Sequence, residues 1–110
     1  SPIANTLRTW APNISRLRSA LRQQADEEKA KVLIEAKFYM KNNQEIEEAF
    51  LQARSYACLL ESTVIVLCDK QCLIVYEKKQ SFDRDSYKKY YWGELENPDV
   101  FNELKNKLNI

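Results

Sequence analysis

The sequence predicts an α/β domain in which a mixed β-sheet is flanked by α-helices. Three observations carry this prediction. The near-continuous apolar run Val32–Leu33–Ile34 reads as a strand covered on both faces. An amphipathic stretch follows and leads into a second apolar run, which is the order of a βαβ unit with a right-handed crossover. Two short apolar runs then flank DKQC at the spacing of a hairpin.

The elements follow in order. Residues 1–30 form an N-terminal basic segment, and residues 31–110 form the core of what reads as one domain of 110 residues. Within the basic segment, Ile14, Leu17 and Leu21 recur at helical spacing, which suits a helix over 13–25. The alternation from Ser15 to Leu21 suits a strand instead, and both readings stay open. The stretch ADEEKAK at 25–31 reads as a polar turn. Lys31–Phe38 is the first firm strand. Successive side chains alternate faces, so Val32, Ile34, Ala36 and Phe38 share one face and Leu33, Glu35 and Lys37 the other. A helix crossover follows this strand, which places it centrally in the sheet.

Residues 44–61 predict a helix, because Ile46, Ala49, Phe50, Ala53, Ala57 and Leu60 form one apolar stripe. Asn43 suits its N-cap, and Glu45, Glu47 and Glu48 suit the positive end of its dipole. Strands are expected at Thr63–Cys68 and Leu73–Lys78. Residues 79–92 read as a polar, aromatic-rich connection. Asn97 then caps a final helix that opens on Pro98 and buries Val100, Phe101, Leu104 and Leu108.

Composition removes many functions. The chain has no His and one Gly, so His-based triads, HExxH sites, P-loops and GxGxxG loops are excluded. Cys58, Cys68 and Cys72 give no dense disulfide framework, which reads as reduced and cytoplasmic, and they lack partners for a zinc site. Without His to generate a thiolate, a cysteine nucleophile is also a poor fit. The net charge of +1 favours no polyanion by itself. No apolar run is long enough for a membrane span, and no membrane partner is expected. The chain opens on Ser1 rather than Met, which suits a piece of a longer protein.

Glu35 and Lys37 are the chemically distinctive pair. They point the same way from an apolar strand, where burying a carboxylate and an ammonium costs several kcal/mol unless something uses them. A cross-strand ion pair is the plain explanation. A divalent cation is the functional one, with Glu35 as a hard oxygen ligand and Lys37 steadying water or phosphate charge. Gln52 and Tyr56 lie four residues apart on the border of the apolar stripe, so they share one side of the helix.

In this setting "IEAK" at 34–37 and "QARSY" at 52–56 resemble the PD-(D/E)xK nuclease superfamily, in its branch with a QxxxY motif after the catalytic strand. The nearest likeness is to the N-terminal nuclease domain of type I restriction endonuclease R subunits. The downstream order, a hairpin in "TVIVLCDKQCLIVYE" and then "YYWGELENPDVFNELKNKL", fits as well. The likeness covers roughly residues 31–108. It implies a restriction-endonuclease-like fold and Mg²⁺- or Mn²⁺-dependent hydrolysis of DNA. Glu35 would be a metal ligand, Lys37 the catalytic lysine, and Gln52 and Tyr56 would flank the site. DNA is the implied substrate, with other restriction-system subunits or a fused motor domain as further partners. A domain of this fold without catalysis, serving in DNA binding or assembly, is the alternative.

The chain departs from the family pattern upstream. The family has an Asp on the strand before E-x-K, yet residues 1–25 hold no acid. Asp26 is the one candidate for a second metal ligand, although its polar setting also suits a solvated turn charge. Pro12–Asn13 would be a PD that lost its charge, and Pro98–Asp99 reads as a helix start. The acid is therefore Asp26, or belongs to a missing piece, or is lost with activity.

Candidate nucleic-acid contacts are Arg16, Arg18 and Arg22, which share an acid-free segment with Arg8, and Lys88 and Lys89. The latter belong to a stretch where Lys78, Lys79 and Arg84 also interleave with Phe82, Tyr87, Tyr90, Tyr91 and Trp92. Those aromatics suit packing on the sheet equally well.

Overall fold

The computed structural model describes residues 32–108. Strand β1 spans Val32–Ala36, helix α1 Asn43–Leu60, β2 Val64–Cys68, β3 Cys72–Glu77 and β4 Lys88–Tyr91. A 3-10 turn, Trp92–Glu96, leads into helix α2, Pro98–Leu108. The strands form one sheet in the order β1-β2-β3-β4. β1 and β2 run parallel, while β2–β3 and β3–β4 are antiparallel, so the sheet is mixed. The parallel pair needs a crossover, and α1 supplies it. The element predicted over 13–25 lies outside the described residues. No helix among the described residues is long and apolar enough to cross a membrane.

Strand alternation builds two cores, one on each face. Ile65, Leu67, Ile74 and Tyr76 turn toward α1 and meet its Ala49, Phe50, Ala53 and Ala57. Val64, Val66, Leu73 and Val75 turn the other way and meet Trp92, Leu95, Phe101, Leu104 and Leu108. β2 and β3 therefore read as continuous apolar runs because both of their faces are covered. The small residues of the α1 stripe let Phe50 lie against Tyr76, with ring centroids 4.8 Å apart.

The structure corrects four local expectations. β1 is at the edge of the sheet among the described residues, not central: it has one described neighbour, β2, and its residues are only half-buried. The strand also ends at Ala36. The Lys37 amide still donates to the Cys68 carbonyl (2.9 Å), but Phe38 no longer follows the pleat and is 74% exposed. Asn42, not Asn43, caps α1. Its backbone is extended, and its side-chain oxygen accepts from the Glu45 amide at 3.0 Å. Glu45 reaches back to accept from the Lys41 amide at 2.7 Å, a reciprocal pairing close to a capping box. Finally, the connection 79–92 contains β4, whose Tyr90 is fully buried.

The C-terminal helix forms as its sequence predicts. Asn97 Oδ1 accepts from the Asp99 amide at 2.9 Å, and Pro98 occupies the first helical position. Pro98–Asp99 is thus a helix start.

Candidate active site

β1 and α1 between them position the predicted site. Leu33 turns toward α1 with the core on that face, so Glu35 and Lys37, at the same parity, lie on the α1 side. Val32, Ile34 and Ala36 pack against the opposite core and fix the strand's orientation. Lys37 Nζ lies 3.4 Å from Glu35 Oε1. It also donates a hydrogen bond to Gln52 Oε1 on α1 at 3.1 Å. Glu35, Lys37 and Gln52 therefore form one connected polar chain from strand to helix. The Glu35 side chain is 19% exposed and that of Lys37 40%, so the group sits at a rim that solvent reaches. At that exposure the ion pair contributes no more than ~1 kcal/mol to stability. Beside it lies an open groove of about 330 Å³ lined by Lys37, Tyr39, Met40, Glu45, Glu48, Ala49 and Gln52.

Tyr56 stands one turn beyond Gln52 on α1 and is 47% exposed. Among the described residues it makes no hydrogen bond to the Glu35–Lys37–Gln52 chain. Asp26, Arg8, Arg16, Arg18 and Arg22 lie outside the described residues. Lys88 and Lys89 are exposed neighbours on β4, but they leave the strand on opposite faces. Lys88 sits over the Tyr90 ring and Lys89 over the Tyr91 ring, so the two ammoniums do not form one patch.

The donor set fits a hard divalent cation in part. Mg²⁺ accepts one or two carboxylates when water and substrate phosphate complete its shell, and Glu35 offers one such carboxylate at an open rim. Among the described residues no three His, Cys, Asp or Glu side chains gather as a ready-made metal cluster.

Sequence reasoning missed Asp69, the best-connected polar residue near the site. It is buried at the turn between β2 and β3. Its Oδ1 accepts from the Gln71 amide (2.8 Å) and the Cys72 amide (3.0 Å), and its Oδ2 from the Met40 amide (2.9 Å). Its own carbonyl accepts from Trp92 Nε1 at 2.8 Å. The bond to Gln71 is an Asx turn, which an Asp opening a short hairpin loop does signal. The reach to Met40 depends on tertiary packing.

Asp69 also affects the thiols. Burial pushes the Cys68 thiol up to about 12, helped by the negative charges of Asp69 and Glu35. Burial and Asp69 together push Cys72 up to about 11. Both stay protonated at neutral pH, which leaves them poor nucleophiles and poor metal ligands.

No family model, curated protein or solved structure matches this chain.

Proposed function

We propose that this chain is the nuclease module of a bacterial restriction or defence system, a restriction-endonuclease-like domain that hydrolyses DNA phosphodiesters with Mg²⁺ or Mn²⁺ in the cytoplasm. One observation carries the reading: the lysine of E-x-K donates to the glutamine of QxxxY, 15 residues away, while resting on the glutamate of its own motif. Sequence proximity does not produce that contact. It needs the strand–helix–strand unit that the motifs resemble, with E-x-K at the end of a strand paired in parallel across the crossover.

The roles follow from the chemistry of the side chains. Glu35 would hold the cation, with Asp26 as its candidate second ligand. The cation supplies charge for the phosphate and lowers the pKa of bound water. Lys37 has three N–H donors: one goes to Gln52, one faces Glu35, and one is left for a phosphate oxygen or the attacking water. Gln52 fixes the lysine rotamer and keeps its head at the groove.

A second reading is favoured by the donor set, since no three His, Cys, Asp or Glu side chains gather as a metal cluster among the described residues. Here the domain binds DNA or assembles with other restriction-system subunits, or with a fused motor domain, and does not cleave. The test is incubation with plasmid and single-stranded DNA in Mg²⁺ or Mn²⁺, beside Glu35→Ala and Lys37→Ala. Cleavage by the wild type alone supports the nuclease. Equal cleavage by all three proteins sinks this site. Binding without cleavage by any of them supports the second reading.

A further inference from the structure

The sheet end that carries Lys37 presents aromatic rings to solvent from a held backbone. β1, β2 and β4 finish at this end, and β3 begins there. Phe38 is exposed, as are Tyr39 and Tyr91. A large apolar ring left in water at a floppy tip would need no explanation. Phe38 is not at such a tip. Its carbonyl accepts from the Lys70 amide (3.2 Å), the preceding amide is bound to Cys68, and the Met40 amide is bound to the buried Asp69 carboxylate. The loop is fixed on both sides of the ring, so its exposure is built in.

Charge is arranged around these rings. Lys70 Nζ lies 5.1 Å from the Phe38 centroid and 4.9 Å from that of Tyr39. Lys89 Nζ lies 5.0 Å from that of Tyr91. The carboxylates nearby each accept a hydrogen bond: Glu45 from the Lys41 amide, Glu48 from the Gln44 side chain, Glu94 from the Tyr91 amide, and Asp69, which is buried, from three backbone amides. Tyr39, Lys41 and Lys89 line one groove, and Tyr39 also borders the groove that holds Lys37 and Gln52. Rings and ammoniums thus run from the candidate active site along the end of the sheet.

We infer that this end is a stacking platform for unpaired nucleobases, with Phe38 and Tyr39 as the stacking rings and Lys70 and Lys89 as phosphate partners, so that single-stranded nucleic acid is the polymer presented to Glu35 and Lys37. This assignment of substrate class rests on the nuclease reading. The chemistry favours a single strand because duplex bases are already stacked and offer no free face, whereas every unpaired base has one.

The test uses the full 110-residue chain. Binding of a fluorescent oligothymidine and of a blunt duplex of equal length is measured by anisotropy in EDTA, so that cleavage plays no part. The expected result is tighter binding of the single strand, weakened about tenfold by Phe38→Ala with the duplex unaffected. Lys70→Gln lowers affinity and makes the salt slope shallower by about 0.7. Circular dichroism confirms that the variants fold, since neither side chain is part of a core. Equal or tighter duplex binding overturns the platform, as does single-strand binding unchanged in Phe38→Ala. A wild-type dimer that Phe38→Ala dissociates without changing DNA affinity also overturns it, because the occupant would then be a second copy. The nuclease reading fails separately: if single strands bind through Phe38 yet no Mg²⁺- or Mn²⁺-dependent cleavage occurs, the platform stands without the catalytic site.

Discussion

The Asp69 carboxylate accepts a hydrogen bond from the Met40 amide across 29 residues of sequence, tying the exit of the E-x-K strand to the hairpin turn beside it. The same carboxylate closes the turn through Gln71 and Cys72. Asp69→Ala leaves three buried or half-buried amides without a partner, and it is expected to destabilise the fold by about 2–4 kcal/mol. Urea unfolding measures this. A loss below about 0.5 kcal/mol, the level of an ordinary surface substitution, would show that water replaces the carboxylate.

Gln52 separates function from stability. It is exposed on α1 and holds Lys37 through one hydrogen bond. Gln52→Ala is expected to change stability by less than about 0.5 kcal/mol. On the proposed reading it lowers DNA cleavage about tenfold, while Lys37→Ala lowers it at least a hundredfold by removing the group that contacts substrate. Cleavage rates beside urea midpoints test this. A loss of rate that follows a loss of stability would refute the positioning role.

Stability should fall on the alkaline side. Cys68 is raised from 9.0 to about 12, Cys72 from 9.0 to about 11 and Tyr76 from 10.0 to about 12, each chiefly by burial, and Tyr90 is raised in the same direction. A raised pKa means the folded state holds its proton longer than the unfolded one. The contribution is complete below pH 9 and is lost as pH climbs from 9 toward 12. Unfolding midpoints are expected to be flat between about pH 7 and 9 and to drop steeply above. A midpoint that rises between pH 9 and 11 would contradict this assignment.

The three free thiols should separate by accessibility. Cys58 is exposed on α1, whereas Cys68 and Cys72 are buried and held protonated. Maleimide is expected to label one thiol per chain rapidly in buffer, and all three only in denaturant. Fast labelling of a second thiol in the native protein would indicate that the β2–β3 turn opens.

Much of this architecture was legible because hydrophobic period and burial agree. The α1 stripe from Ile46 to Ala57, the doubly covered β2 and β3, and the Asn97–Pro98 helix start all follow from local pattern, whereas Leu60, the last residue of the predicted stripe, is exposed at the helix end. The shared face of Glu35 and Lys37 follows from strand alternation alone. β4 was hidden because Lys88, Lys89, Tyr90 and Tyr91 bury one side chain in four, too little for a period to show. Its strand conformation comes from pairing with β3. Phe38 departs from the predicted alternation because the chain leaves the sheet after Ala36 to meet Lys70. The link from Asp69 to Met40 is tertiary and leaves no mark on local sequence.

The indole of Trp92 gives the turn its own optical signal. Trp92 is buried and donates to the Asp69 carbonyl, and the chain has one other tryptophan, Trp10. In a Trp10→Phe background the emission maximum would come from a single fluorophore bonded to that turn. A shift on adding an oligonucleotide would then give the kinetics of any rearrangement beside Lys37 without an attached dye.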